Sequence, residues 1–306
     1  MADEGERGAE LAELLAEVRR IELGSRRLVT GVVAGGYHSV FRGAGMEFED
    51  VREYEAGDDP RSVDWNVTAR VGRLHVKKYT DERDQTVVFL LDLSPSMEAG
   101  FGGWSARGTA ARLLACLALS AVRNNDRTGL ISFGDAVESF VPPKRGAGHA
   151  MRILRDALAL RPSGNGTGLV PALEHAHRAL RRHAILFVLS DFISDGWQEA
   201  LGRCARRHDV IAVRILVPEL DDPGDAMLRV RDPEGGRECV VDFASASTRA
   251  AWAERTRAFC ARTEADLRRL RVDRMDVPVP RTRGMEAIAR PLRRFFRMRA
   301  LRGEKA

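Results

Sequence analysis

Apolar runs alternate with amphipathic stretches from residue 86 onwards, and this pattern predicts an α/β fold. The runs at 86–92 (TVVFLLD) and 183–191 (HAILFVLSD) stay apolar until each ends in an acid, which is typical of strands buried on both faces. Helices are predicted over 105–124, 148–160, 169–182, 195–207, 246–270 and 284–300, and further strands over 127–135, 136–143, 209–218 and 271–278. We therefore expect a doubly wound, mainly parallel sheet with helices on both faces, and a hairpin within 226–243.

The first 80 residues follow a different pattern. Leucine, valine and isoleucine recur at helical spacing over 9–23, and a second short helix is predicted over 25–34. Residues 37–80 are dense in Gly, Asp, Glu and Arg, which predicts turns, short strands and ion pairs. We expect two domains: a helical and irregular β N-terminal subdomain over 1–82, and the α/β domain over 83–306.

Composition narrows the class of protein. Hydrophobic residues make up 44% and charged residues 30%, as in a soluble globular protein, and the net charge of +5 comes with no nucleic-acid-binding motif. The acidic start of the chain is unlike a signal peptide, and the apolar run at 113–122 is half of the roughly 20 residues that a membrane span needs. We expect a cytoplasmic protein with no transmembrane segment and no nucleic-acid partner.

Oxygen-bearing side chains stand where three predicted loops meet one edge of the sheet. Asp92, Ser94 and Ser96 follow the first buried strand, Thr167 precedes a helix in a glycine-rich loop, and Asp191 ends another strand. In open α/β sheets, ligands bind outside the carboxyl ends of the strands. Hard oxygen donors without His or Cys indicate Mg²⁺, or Mn²⁺ or Ca²⁺, rather than zinc. Asp and Ser also favour turns and helix caps, so a purely structural role for these residues stays open.

The order Asp92-x-Ser94-x-Ser96, Thr167, Asp191 resembles the metal-ion-dependent adhesion site of von Willebrand factor A domains. The resemblance implies that the two serines and the threonine ligate the metal directly, that Asp92 acts through water, and that Asp191 lies nearby. It also implies a vacant coordination position that accepts a carboxylate, an Asp or Glu, from a partner protein.

Short motifs before and after the predicted α/β domain resemble the bacterial domain-of-unknown-function family fifty-eight, whose members carry a von Willebrand A-like domain. These motifs are GxGxEF at 43–48, REY at 52–54, GDDPRSVDW at 57–65, AR at 69–70 and PLRRFFRMR at 291–299. Because members are commonly encoded beside MoxR-type AAA+ ATPases, the resemblance implies an adaptor that works with such an ATPase.

The charged segment offers two interpretations. Its singled-out residues are Glu47, Arg52, Asp58, Asp59, Arg61, Asp64, Trp65 and Arg70. They form either a partner-binding surface or an ion-pair network that shapes an irregular subdomain, since Arg and Asp can satisfy one another bidentately. Within that network we expect Trp65 to be a packing anchor.

Three functions follow as hypotheses. The first is a non-enzymatic, metal-dependent interaction module, because no general base or other catalytic set stands beside the oxygen-rich loops. The second is Mg²⁺-dependent phosphoryl transfer with Asp92 as nucleophile, although Ser94 stands where such phosphatases have a second Asp. The third is a metal-free structural adaptor that binds its partner through residues 37–80.

Overall fold

The structure is a computed structural model that describes residues 16, 46–55, 58, 62–81, 85–100, 102–160, 164, 166–221, 223–282 and 284–303. Apart from Ala16, which is helical, the helices predicted over 9–23 and 25–34 lie outside the described residues. The chain divides into two compact units, a small one within Phe41–Gln85 and a large one that includes everything from Thr86 onwards. The predicted boundary between residues 82 and 83 falls outside the described residues and stays a prediction.

The described residues of the small unit form a strand pair and one helix. Strand β1 (Met46–Glu53) pairs antiparallel with strand β2 (His75–Asp81), with an irregular register between Phe48 and Asp50. Between them lies helix α1 (Trp65–Val71). The sequence predicted turns and short strands here but no helix.

Helix α1 forms because its two ends are capped. The Asp64 carboxylate accepts hydrogen bonds from the backbone N–H groups of Asn66 (2.9 Å) and Val67 (3.2 Å). At the other end Gly72 adopts a left-handed conformation with φ of 78°, which glycine enters at little cost. An aspartate before the helix and a glycine after it are the usual signals for a short helix, and in this segment they outweigh the dense charge pattern.

From Thr86 onwards, the described residues of the large unit are built around a six-stranded sheet. In chain order its elements are β3 (Thr86–Asp92), α2 (Ala106–Arg123), β4 (Arg127–Phe133), β5 (Val137–Lys144), α3 (Ala147–Ala159), α4 (Leu169–Ala179), β6 (Ile185–Ser190), α5 (Trp197–Ala205), β7 (Asp209–Leu216), α6 (Pro218–Asp221), β8 (Met227–Arg231), β9 (Glu238–Asp242), α7 (Ala246–Arg269), β10 (Asp273–Pro278) and α8 (Glu286–Gly303). The strand order is β10-β7-β6-β3-β4-β5, and every neighbouring pair is parallel except β4 and β5. The predicted doubly wound, mainly parallel sheet is confirmed.

Helices cover both faces of this sheet. Helices α2, α3 and α8 pack together on one face, and α4, α5 and α7 cover the other. Strands β3 and β6 lie side by side at the centre and are buried along almost their whole length, as their continuous apolar runs predicted. Helix α2 is buried on nearly all sides, which its run of leucine and alanine explains.

The short strands β8 and β9 form a separate antiparallel hairpin, whose location matches the hairpin predicted within 226–243. Most of its residues are exposed, and it belongs to the large unit. Within the part of the chain that the structure describes, no helix combines the length and apolar character needed to cross a membrane.

Candidate metal-binding site

The carboxyl end of the central strand β3 carries the first part of the site. Asp92 is fully buried, and its Oδ1 accepts a hydrogen bond from the backbone N–H of Ser94 at 2.8 Å. Its Oδ2 accepts a second from the hydroxyl of Ser190 at 2.6 Å, which ties β3 to the end of its neighbour β6. The hydroxyl oxygens of Ser94 and Ser96 lie 3.1 Å apart, and both residues are buried. A turn of 3₁₀-helix at Pro95–Glu98 brings the two serines to the same place.

The loop after β6 supplies the second carboxylate. Asp191 is 7% exposed, its Oδ1 accepts a hydrogen bond from the backbone N–H of Ile193 at 2.9 Å, and its carboxylate also interacts with the Ser96 hydroxyl. The next residue, Phe192, has a φ of 61°, an uncommon conformation for a bulky residue. In this conformation its backbone N–H donates to Ser190 Oγ at 3.0 Å. Asp92, Ser94, Ser96 and Asp191 therefore form one hydrogen-bonded cluster.

The electrostatics of this cluster are those of two acids buried beside each other. Burial, followed by the charge of Asp191, raises the pKa of Asp92 to about 7. Burial also raises the pKa of Asp191 above its ordinary value, although hydrogen bonds from the Ile193 backbone and the Ser96 hydroxyl oppose the shift. Neither carboxylate has an Arg or Lys partner among the described residues. A cation placed between them would relieve both effects.

Backbone contacts hold the Thr167 segment against the loops after β4 and β6. The N–H of Gly168 donates to the carbonyl of Gly134, after β4, and the hydroxyl of Ser194, in the loop after β6, donates to the Thr167 carbonyl at 3.4 Å. Because β3 lies between β4 and β6 in the sheet, these contacts hold Thr167 at the same edge of the sheet as the carboxyl end of β3. A side chain at Gly168 would collide with the backbone carbonyl of Asp135, so this close approach requires glycine.

The hydroxyl of Thr167 donates a hydrogen bond to a carboxylate that the sequence analysis did not single out, that of Glu234 at the tip of the β8–β9 hairpin. Ser190 was also missed. The signal for Ser190 was its place at the end of a buried strand, one residue before Asp191. No comparable signal exists for Glu234, since the sequence does not tell which surface a hairpin tip contacts.

The oxygen donors suit a hard divalent cation. The described residues contain no group of three or more His, Cys, Asp or Glu side chains arranged to hold a metal ion, so a site built on such ligands alone is not present there. Hydroxyls and two carboxylates instead make up the donor set, a chemistry that suits Mg²⁺. The assignment of Asp92, Ser94, Ser96, Thr167 and Asp191 to a metal stays a prediction.

The charged segment is only partly described. The Arg52 guanidinium lies 2.6 Å from Asp58 Oδ1, and this hydrogen bond lowers the pKa of Asp58. Asp58 Oδ2 accepts the backbone N–H of Glu55 at 2.9 Å. Asp59 and Arg61 lie outside the described residues, as does the side chain of Glu47 on β1. Arg70 is exposed in the last turn of α1.

Trp65 does not have the buried position that the sequence predicted. Expected as a packing anchor, it is 69% exposed. The physical reason is its position as the first residue of α1, where the Asp64 cap fixes the helix start without help from the indole. Both interpretations of the charged segment, as a partner-binding surface and as a network that shapes the small unit, stay predictions.

Comparisons with known proteins identify the family. Residues 50–262 match the family described as "Protein of unknown function DUF58". The chain belongs to this family. Relatives of this DUF58 protein include the uncharacterized protein Rv1480 of Mycobacterium tuberculosis and the uncharacterized protein Mb1516 of Mycobacterium bovis. Each is 32% identical over 274 residues, which cover 86% of both chains.

Solved structures of similar fold include the conserved hypothetical protein BatB from Bacteroides thetaiotaomicron. It is 20% identical, with a TM-score of 0.44 over 71% of this chain and 99% of that chain. The SpRpn10 VWA domain is 16% identical, with a TM-score of 0.36 over 43% of this chain and 75% of that chain. The resemblance to DUF58 drawn from the sequence is confirmed by the family match, and the doubly wound sheet is the fold class expected with it.

Proposed function

We propose that this DUF58 protein is a non-enzymatic interaction module that holds Mg²⁺ at the carboxyl end of β3 and presents it to a carboxylate of a partner protein. The observation that carries the proposal is the buried cluster of Asp92, Ser94, Ser96 and Asp191. The metal would supply a positive charge with a coordination position open to an anionic side chain.

The spacing of the serine hydroxyls supports this role. Mg²⁺ binds oxygen at about 2.0–2.1 Å in an octahedron, so two adjacent ligand oxygens are about 2.9 Å apart. The oxygens of Ser94 and Ser96 are separated by 3.1 Å, close to that edge length. Ser94, Ser96 and Thr167 would hold the ion directly, with Asp92 and Asp191 supplying negative charge beside it.

Burial of the two acids supports the same role. A buried carboxylate without a cationic partner costs several kcal/mol unless it takes up a proton, and a cation bound beside the two acids would remove that cost. Asp92 and Asp191 are 0% and 7% exposed. The hydrogen bonds to Asp92 fix its orientation at the end of β3.

The partner that we propose is a protein with an exposed Asp or Glu. The resemblance to the family implies a MoxR-type AAA+ ATPase, so such an ATPase is the first partner to test. Recognition would require the partner carboxylate to reach the metal between the loops after β3 and β6.

Phosphoryl transfer is the less favoured alternative. A nucleophilic Asp must expose one oxygen to the phosphorus atom. Both oxygens of Asp92 are hydrogen-bonded and the residue is fully buried. Turnover of a generic phosphatase substrate that disappears in Asp92→Asn, but not in the exposed Asp195→Asn, would favour this alternative.

A metal-free adaptor is the remaining alternative, with the charged segment as its binding surface. Charge reversal at Asp58 and Asp59 tests it, provided that thermal denaturation shows a folded variant. Loss of partner binding in that variant, with no effect of changes to Ser94 and Ser96, would favour this function over the metal-dependent one.

The deciding experiment measures metal binding directly. A calorimetric titration of the full chain with Mn²⁺ should show one binding site, and Mg²⁺ should compete for it. The double variant Ser94→Ala/Ser96→Ala should lose the site. A matched control is Ser245→Ala/Ser247→Ala, because these exposed serines have the same spacing and a similar oxygen separation of 2.9 Å.

Partner capture is the second part of the test. A pull-down from the native cell should recover a partner in Mg²⁺ and lose it in EDTA. The Ser94/Ser96 double variant should fail in both conditions, and the Ser245/Ser247 control should behave as the wild type. Equal capture by wild type and the Ser94/Ser96 variant, with and without EDTA, would overturn the proposed function.

A further inference from the structure

The tip of the β8–β9 hairpin reaches the candidate metal site. Most residues of the hairpin are exposed, but Glu234 at its tip is half-buried and accepts the hydrogen bond from the Thr167 hydroxyl. These two residues are 67 positions apart in the chain. A carboxylate of this chain therefore stands beside one of the proposed metal ligands.

The turn at the tip is built to present Glu234. The Asp232 N–H donates to the Arg237 carbonyl at 2.8 Å, and the Gly236 N–H donates to the Asp232 carbonyl at 2.9 Å. The Asp232 side chain accepts the backbone N–H of Glu234 at 3.1 Å. Gly236 takes a φ of 66°, which closes the turn. These bonds fix the backbone of Glu234 independently of its side-chain contact with Thr167.

The base of the hairpin is packed against the rest of the large unit, whereas its two strands make few contacts with other elements. Phe243, which follows β9, is 1% exposed and meets the ring of Trp252 at a right angle, with 5.3 Å between centroids. Among the described elements, no other helix or strand packs closely along β8 or β9. Such an arm can lift its tip while its base stays in place, because few contacts oppose the movement.

The contact with Thr167 puts a carboxylate oxygen of Glu234 next to the oxygen of a proposed ligand. Adjacent oxygens around Mg²⁺ are separated by about 2.9 Å, which is also an ordinary hydrogen-bond distance. If Thr167 ligates the ion, an oxygen within hydrogen-bond reach of its hydroxyl stands where the next ligand belongs. A carboxylate is also a stronger ligand for a hard cation than water or a hydroxyl.

We propose that Glu234 is a metal ligand supplied by the chain itself, which occupies the coordination position that the partner carboxylate takes. This inference rests on the proposed function, since it requires a metal held by Ser94, Ser96 and Thr167. A partner must then displace the hairpin tip, so the hairpin sets how readily the site is opened. Glu234 can compete with the partner because both would offer a carboxylate to the metal.

Metal affinity and chemical rescue test the proposal. Glu234→Gln should weaken Mn²⁺ binding by about tenfold, the lower end of the loss seen when groups around a metal are changed. High acetate should restore the affinity in this variant, because a free carboxylate can then fill the vacated position. Acetate should leave the wild type unchanged.

The matched control is Glu238→Gln. Glu238 lies on β9 of the same hairpin, where it is 4.0 Å from Arg229 and from Arg231 and away from Thr167. It carries the same charge on the same hairpin, so this variant measures the effect of removing a hairpin carboxylate that does not contact Thr167. Unchanged Mn²⁺ affinity in Glu238→Gln, with the loss confined to Glu234→Gln, supports ligation.

A second readout follows the hairpin itself. Mn²⁺ should slow hydrogen exchange of the amides within 232–237 in the wild type, and it should have no such effect in Glu234→Gln. Equal Mn²⁺ affinity in wild type and Glu234→Gln, with the Ser94/Ser96 variant still defective, would overturn this inference and leave the proposed function standing. A wild type that binds no Mn²⁺ would overturn both.

Discussion

The hydroxyl of Ser190 donates a 2.6 Å hydrogen bond to Asp92 Oδ2 and so joins the ends of two neighbouring strands across 98 positions of sequence. The bond fixes the carboxylate at the centre of the site. Ser190 is fully buried and also accepts the N–H of Phe192. One side chain therefore positions the acid and shapes the loop that carries Asp191.

Removal of the Ser190 hydroxyl should lower both the stability of the fold and the affinity for Mn²⁺. Ser190→Ala leaves a buried oxygen of Asp92 without its partner, which should lower the free energy of unfolding by about 2 kcal/mol. Mn²⁺ binding should also weaken by about tenfold, because Asp92 loses its orientation. Urea denaturation and calorimetry measure the two effects.

The matched control for Ser190 is Ser132→Ala. Ser132 is fully buried on β4, and its hydroxyl has no hydrogen-bond partner among the described residues. Its removal should change stability by less than about 1 kcal/mol and leave Mn²⁺ affinity unchanged. Equal effects of the two serine variants would contradict the role assigned to Ser190.

The raised pKa of Asp92 predicts how stability depends on pH. An aspartate in the unfolded chain has a pKa of about 3.9, whereas burial and Asp191 raise the folded-state pKa of Asp92 to about 7. The folded protein therefore binds more protons than the unfolded chain between these values. Stability of the metal-free protein should fall as pH rises from about 4 to about 7, by about 1.4 kcal/mol for each unit of pKa difference.

Thermal denaturation in EDTA at pH 5 and pH 8 measures this dependence. Asp92→Asn should reduce it, saturating Mg²⁺ should remove most of it in the wild type, and the exposed Asp195→Asn should leave it intact. A metal-free wild type that is equally stable at both pH values would show that the pKa of Asp92 is not raised in the folded protein.

The close approach at Gly168 predicts a selective defect. In Gly168→Ala the new methyl group collides with the Asp135 carbonyl, so the loop must move and carry Thr167 with it. Mn²⁺ affinity should fall by about tenfold while the chain stays folded, as circular dichroism can show.

Gly148→Ala is the control for that substitution. A side chain at Gly148, near the start of α3, meets no atom within 4 Å. This variant should be more stable by about 0.5–1 kcal/mol and should bind Mn²⁺ normally. Normal metal binding by Gly168→Ala would contradict the placement of Thr167 in the site.

Substitutions at two adjacent residues of the small unit should differ in their effect on stability. Asp64→Ala removes the cap of α1 and should lower stability by about 1 kcal/mol. Trp65→Ser should change it by less than about 0.5 kcal/mol, because the side chain is 69% exposed. Thermal denaturation distinguishes the two, and a large loss in Trp65→Ser would restore the packing role expected from the sequence.

The sheet and most of the candidate site could be predicted from the sequence. Continuous apolar runs ending in Asp92 and Asp191 identified the two central strands, and the rule that parallel strand ends share one edge brought the acids together. The structure places these two acids with Ser94 and Ser96 in one cluster. Metal binding by this cluster stays a prediction.

The remainder depends on tertiary packing. Ser190 resembles any polar residue at a strand end, and only the pairing of β6 with β3 gives it Asp92 as a partner. Glu234 lies at the tip of an exposed hairpin, and its contact with Thr167 exists only in the folded chain. For Trp65, its apolar character suggested burial, but the Asp64 cap already defines the helix start.

The bond between Asp92 and Ser190 also has a consequence for biosynthesis. A growing chain contains Asp92, Ser94 and Ser96 long before it contains the serine that secures the aspartate, and the Glu234 tip emerges later still. Contacts between distant positions form late, since the intervening chain must first be brought together. Ribosome-bound fragments that stop before β6 would thus carry an unpaired acid at the end of an exposed apolar strand. Such a strand is a segment that chaperones can bind.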